Sequence, residues 1–157
     1  MTLSKSARKF QEELDRRGLD ATVVELASST RTAEDAANSL GCATAQIVKS
    51  LVFRATATGE AVIVLASGPN RVNEKAIAAH VGSEIGKADA DFVKTTTGYS
   101  IGGVPPLGHK NEAVLFVDQD LLAFPEVWAA AGTPHAVFKI SGAITEILPK
   151  HTVVDVT

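Results

Sequence analysis

Apolar residues Leu3, Ala7, Phe10 and Leu14 recur through the first stretch of the chain with Lys, Arg and Glu between them, and Gly18 follows. Positions three or four apart fall on one helix face, so this spacing predicts an amphipathic first helix that stops at Gly18. Residues 22–26 (TVVEL) are short and β-branched, as a strand requires. The segment STRTAEDAANSLG then predicts a helix, with Thr32 as N-cap, Asp35 three residues later, alanines in the body and Gly41 closing it. From Ile47 the pattern changes. IVKSLVFRA is β-branched and aromatic, TATGE turns, and AVIVLAS returns, which predicts an antiparallel hairpin over residues 50–66.

Two more helices are expected in NEKAIAAHVG, capped by Asn73, and DADFVKTTTG, capped by Asp89, each ended by a glycine. Beyond them come strands in AVLFVD, near residues 127–130 and in HAVFKI, a short helix from Ser141, and a last strand in HTVVDV. Helices and strands mix without regular βαβ alternation. The expected fold is therefore α+β, with a mixed, largely antiparallel sheet flanked by helices.

Composition changes this picture in three places. A chain of 157 residues has the size of one domain, so residues 1–157 are read as a single unit. No run of 18 uncharged apolar residues occurs and the start alternates charged with apolar residues, so neither a membrane span nor a signal peptide is expected, and the protein is read as cytoplasmic. The lone Cys42 excludes an internal disulfide and a paired-cysteine zinc site. A net charge of −3 argues against DNA or any nucleic acid coated through a broad cationic surface, although a few basic residues suffice to grip one end of a strand.

The densest cluster of special residues is GYSIGGVPPLGHK, residues 98–110. Its first five residues match G-x-S-x-G, the nucleophile elbow of α/β-hydrolases, and Asp118 or Asp120 followed by His135 or His151 supplies the triad order. The elbow needs a buried strand before Ser100 and a helix directly after it. KTTT precedes it instead, and Pro105 and Pro106 hold the residues before them out of helical conformation. A phosphate-binding P-loop at Gly86-Lys87 lacks its partner residues, and His80, His109, His135 and His151 show no metal-ligand spacing, so neither a metal nor a cofactor is expected.

Two readings of the loop remain. It is a structural turn, or it is a binding loop in which Gly102 and Gly103 let a ligand approach the main chain and expose amides to a carbonyl or oxyanion. Lys49, at the entrance of an apolar strand, is either an edge residue that reaches for water or a fixed positive charge.

The ordered segments TAEDAANSLGCATAQIVKSLVFRA, AVIVLASGPNRVNEKAIAAHVG, ADADFVKTTTGYSIGGVPPLGH and AGTPHAVFKIS closely resemble the YbaK family, the prolyl-tRNA synthetase-associated editing domains, across residues 20–157. The resemblance implies a curved, barrel-like sheet. It implies hydrolysis of the ester between a wrongly attached amino acid and the 3′ end of a tRNA, with prolyl-tRNA synthetase as a further partner. Lys49 takes the family's required lysine, and Gly102, Gly103, Val104, Pro105 and Pro106 take its G-x-x-x-P loop, whose backbone holds the substrate carbonyl and positions water. His135 takes the place of a late histidine of the inserted domains, although Thr133 and Pro134 depart from that motif. Ser28, Thr30, Ser67 and Ser141 are expected to line or polarise the amino-acid pocket, and Arg71, Lys75 and Lys110 to offer weaker phosphate contacts. Alanine, serine, threonine and cysteine esters all stay open. A free-standing deacylase is the leading reading; a non-catalytic aminoacyl-tRNA-binding module and a serine esterase through Ser100 are the alternatives.

Overall fold

The structure is a computed structural model that describes residues 3–26 and 32–157. Among the described residues four helices, α1 (Lys5–Arg16), α2 (Ala33–Leu40), α3 (Glu74–Val81) and α4 (Ala90–Thr97), flank one eight-stranded sheet. Its strands are β1 (Val23–Glu25), β2 (Ile47–Ala55), β3 (Ala61–Ser67), β4 (Ile85–Lys87), β5 (Val114–Asp118), β6 (Glu126–Ala130), β7 (Ala136–Ser141) and β8 (Thr152–Val154).

The caps form as their residue types dictate. Thr32, Asn73 and Asp89 accept backbone N–H bonds from Asp35, Ala76 and Phe92, and Gly41, Gly82 and Gly98 close the same helices in left-handed conformation. The expected hairpin is β2–β3, in continuous antiparallel register from Val48↔Ser67 to Arg54↔Ala61. Strand β4 went unread in the sequence, because three residues carry too little pattern to show alternation. The short helix expected from Ser141 is a single 3-10 turn at Ile144–Glu146, since Ser141 still pairs with Glu126 as the last residue of β7.

The sheet runs β1-β7-β6-β2-β3-β5-β8, with β4 on β2. β2–β6, β3–β5 and β5–β8 are parallel and the other pairings antiparallel, so the sheet is mixed. It is not a barrel: β1 and β8 end the path without pairing to each other, which corrects the barrel-like expectation. β3 lies between β2 and β5 and is buried at every residue.

One sheet face packs against α1, where Phe10 meets Phe138 and, edge-on at 82°, Tyr99. The opposite face carries Val62, Val64 and Phe116 against Ile77 of α3. On the edge of β2 away from β3, Ile47 and Val48 pair with β6 and Phe53–Ala55 with β4. Between them residues 49–52 have no strand in register among the described residues, and this gap positions the site.

Candidate substrate-binding cavity

Backbone direction along β2 follows from two bonds. Ala55 N–H donates to Glu60 O and Thr56 N–H to Glu84 O, so odd-numbered β2 residues address β3 and even-numbered ones the β4 and β6 edge. The main-chain groups of Ser50 and Val52 therefore point into the gap. Side chains alternate the other way, and the Ser50 hydroxyl is shielded from solvent with no hydrogen-bond partner among the described residues.

A cavity of about 490 Å³ opens at this gap. Its walls come from the start of α2 (Ala33, Ala36), the first half of β2, Trp128 of β6, and the loop residues Ile101, Gly102 and Val104. Lys49 is the only charged residue lining it among the described residues. A smaller space of about 260 Å³ continues along β2 toward Phe53 and Lys87, sharing Ser50, Leu51, Gly102 and Val104. The gap is thus a mainly apolar groove with a run of main chain, Lys49 in its larger part and Lys87 at the far end of its smaller part.

Lys49 is half-buried, and its Nζ donates to Asn70 O at 2.7 Å. Burial pushes its pKa below the ordinary lysine range, while the carboxylate of Asp118 pulls it back up. Asp118 is itself buried at the end of β5. It accepts from Ser67 N–H, from the Asn70 side-chain amide and from Asp120 N–H.

The loop is a tight turn. Gly103 N–H donates to Ser100 O at 3.0 Å, and Gly103 O accepts from Gly132 N–H at 2.9 Å. A Cβ at Gly103 would lie 2.7 Å from Thr133 Cα, so this glycine serves a backbone-to-backbone contact. Gly102 has φ +89° and faces the cavity, and its amide has no acceptor among the described residues. Pro105 and Pro106 are buried behind the loop, and Pro105 O receives His109 Nε2 at 2.7 Å. That bond fixes the proton on Nε2 of a largely buried ring, and burial lowers the pKa of His109.

The cavity thus brings together Lys49, Gly102 and Val104. Gly103, Pro105 and Pro106 support the loop from behind without lining the space. Ser67 lies beneath the site with its hydroxyl donating to Ala45 O, and Ser141 is exposed at the far end of β7. His135 is exposed and is not among the lining residues, though its neighbour Pro134 is. Thr30 and Ser28 lie outside the described residues.

The nucleophile elbow is not built. Ser100 follows α4 and the buried Tyr99, and leads into the turn instead of a helix. A second cavity of about 520 Å³ lies beside Arg17, His109, Lys110, Lys150 and His151. It is slightly larger but more polar and mixed in charge, and neither Lys49 nor Gly102 reaches it. Lys110 belongs there, whereas Arg71 adjoins Asn70 and Lys75 sits on α3.

Sequence reading missed Trp128, Asn70 and the role of Asp118. The lone tryptophan was a usable signal, as was an aspartate ending an otherwise apolar run; Asn70 carried none.

A solved structure of a candidate trans-editing enzyme for prolyl tRNA synthetase is 43% identical, with a TM-score of 0.91 over 99% of both chains. The proline–tRNA ligase of Limosilactobacillus fermentum is 36% identical over 57% of this chain, which spans 16% of that ligase. The uncharacterized protein YwhH of Bacillus subtilis is 28% identical over 76% of this chain and 75% of its own length. The model of the aminoacyl-tRNA editing domain matches residues 27–147, a span that contains every residue lining the cavity at the β2 gap, and the chain belongs to this family.

Proposed function

We propose that the protein is a free-standing aminoacyl-tRNA deacylase, which hydrolyses the ester of a small amino acid wrongly attached to tRNAPro or a related tRNA. The observation that carries this reading is a single ammonium, Lys49, in a lining that is otherwise uncharged among the described residues and that includes Gly102, whose amide has no acceptor among them. Water adds to the ester carbonyl carbon, the bond to the ribose oxygen breaks, and that oxygen takes a proton to leave free amino acid and intact tRNA. An aminoacyl ester is already activated, so positioning water and stabilising the oxyanion suffice. One well-aimed donor of this kind supplies about 3 kcal/mol.

In this reading the Gly102 amide holds the carbonyl oxygen as it becomes negative, and Lys49 anchors the 3′ terminus. The neighbouring ribose hydroxyl orients the water, so no nucleophilic side chain is required. Apolar walls receive a small side chain, and Trp128 at the rim offers a flat surface to the terminal nucleoside. The similarity to a proline–tRNA ligase segment and to a candidate trans-editing enzyme for prolyl tRNA synthetase supports the tRNAPro assignment.

The test is a deacylation panel: tRNAPro, tRNAAla and tRNACys charged with alanine, serine, threonine or cysteine, with wild type, Lys49→Ala and Ser100→Ala. Turnover lost with Lys49→Ala and kept with Ser100→Ala is expected. Binding of charged tRNA without turnover on any of them would mean a non-catalytic module.

A further inference from the structure

Lys49 is held from behind by groups that do not line the cavity. Its ammonium meets the main-chain carbonyl of Asn70, which sits in the turn after β3 with its own N–H donating to Ser67 O at 2.9 Å. The Asn70 side chain leaves that turn on the other side, where its Nδ2 donates to Asp118 Oδ2 at 2.8 Å and to Asp120 Oδ2 at 2.7 Å. Asp118 Oδ2 also accepts from Ser67 N–H, so one buried carboxylate grips both ends of the Ser67–Asn70 turn. Gly68 lets the same turn lie directly against the main chain of Thr44, since a Cβ there would overlap Thr44 O. Three elements, the ends of β3 and β5 and the entrance of β2, thus converge on one amine.

A buried carboxylate that closes a turn could serve the fold alone. The arrangement goes further, because the turn it closes presents a carbonyl to the sole charged residue lining the cavity among the described residues, and because its own charge acts on that residue. A lysine has four rotatable side-chain bonds and no fixed fork, so an isolated one is poorly placed. A carbonyl on one side and a negative charge behind it give it a defined seat.

We infer that Asp118 and Asn70 are positioning residues for Lys49: the Asp118 carboxylate, through the Asn70 side chain, fixes the carbonyl that seats the Lys49 ammonium at the substrate cavity. The inference rests on the deacylase reading for its consequence in catalysis, but not for the seating itself. The charged groups facing Lys49 from packed elements are Asp118 and, through Asn70, Asp120; no other charged residue lines the cavity among the described residues.

Two measurements separate the possibilities. The first needs no activity: the titration of Lys49 is followed by NMR of 13C-labelled lysine side chains, assigned by its disappearance in Lys49→Ala. Removing the Asp118 charge with Asp118→Asn should lower the pKa of Lys49 further, because the ammonium loses its counter-charge. Asn70→Ala, which spares the buried carboxylate, should broaden or shift the Lys49 signal as the seat loosens. The second is a double-mutant cycle on deacylation. Asn70→Ala should lower kcat by about ten- to a hundredfold, the scale of a misplaced catalytic group. In the Lys49→Arg background, which removes the seated ammonium but leaves a measurable rate, it should lower it far less. An unmoved Lys49 titration in both variants overturns the seating even if the protein is an active deacylase. A moved titration in a protein with no turnover leaves the seating intact and defeats only the catalytic reading. Additive losses in the cycle would show a general structural role and overturn the assignment.

Discussion

Gly132 N–H donates to Gly103 O at 2.9 Å, and the two backbones approach so closely that a Cβ on Gly103 would lie 2.8 Å from Gly132 O. The catalytic-loop candidate is therefore docked on the segment after β6 through a direct main-chain contact. Its two glycines differ in kind. Gly103 is squeezed between backbones that cannot yield, whereas Gly102 needs its left-handed φ of +89° and meets only the Pro134 ring at 3.3 Å.

Gly103→Ala should accordingly lose stability and activity together, while Gly102→Ala should fold at a cost of about 1–2 kcal/mol, the penalty of a left-handed L-residue. Because the Gly102 amide then shifts with its strained backbone, deacylation should fall by a factor on the order of 100. Urea midpoints beside kcat/KM decide the matter. Equal stability losses in the two variants would contradict the distinction.

Lys49 supplies a pH signature. It acts as an ammonium, and burial holds its pKa below the ordinary lysine value of 10.5 despite the opposing charge of Asp118. Deacylation above the spontaneous rate should therefore be retained through neutral pH and fall on an alkaline limb that begins below 10.5. Esters hydrolyse faster in base without any enzyme, so the quantity to plot is the ratio to the uncatalysed rate. Lys49→Arg keeps the charge but not its placement, and should lose at least tenfold.

How far the chain revealed this site depended on the range of the interactions involved. Caps at Thr32, Asn73 and Asp89 and the β2–β3 hairpin were legible because each depends on residues a few positions apart. The loop at 98–110 stood out by its glycines and prolines, and Lys49 and Gly102 by resemblance. The gap on β2 was not legible, since it depends on β4 and β6 covering the same strand edge at different heights, 34 positions away in the chain for Phe53↔Lys87 and 81 for Ile47↔Trp128. Closure of the sheet failed for the same reason: pairing of β1 with β7 and β8 with β5 sets open ends that no local pattern encodes. Asn70 is the sharpest case, a turn residue by type whose importance lies in what its amide and carbonyl touch.

Ser50 offers a test of the gap itself. Its hydroxyl is buried without a partner among the described residues, and leaving such a group unsatisfied costs about 1–3 kcal/mol. Ser50→Ala should raise stability toward the lower end of that range, read from thermal or urea unfolding. A destabilised Ser50→Ala would mean that the hydroxyl is bonded in solution.

Ser100 tests the hydrolase alternative. It is exposed, its carbonyl closes the turn to Gly103 N–H, and no helix follows it. Ser100→Ala should keep deacylation within about twofold, since exposed substitutions away from a site change little. A fluorophosphonate probe should leave the wild-type protein unlabelled; stoichiometric labelling at Ser100 would restore the serine esterase.

His109 ties the loop to the acid side of the stability curve. Its Nε2 donates to Pro105 O at 2.7 Å in a largely buried setting, and burial, aided by the nearby charge of Arg17, keeps its pKa below the ordinary 6.5 while the Pro105 bond opposes that shift. Below 6.5 the unfolded chain binds this proton more readily than the folded one, so stability is full above 6.5 and declines as pH falls toward the depressed folded value. Once both forms are protonated the loss levels off. His109→Gln retains an amide donor for Pro105 O and does not titrate. Carboxylates contribute to acid unfolding in both proteins, so the informative quantity is the difference between their urea midpoints at pH 7.5 and near pH 5. Wild type should lose more than His109→Gln over that interval, and parallel losses would show that the buried imidazole does not link protonation to the loop.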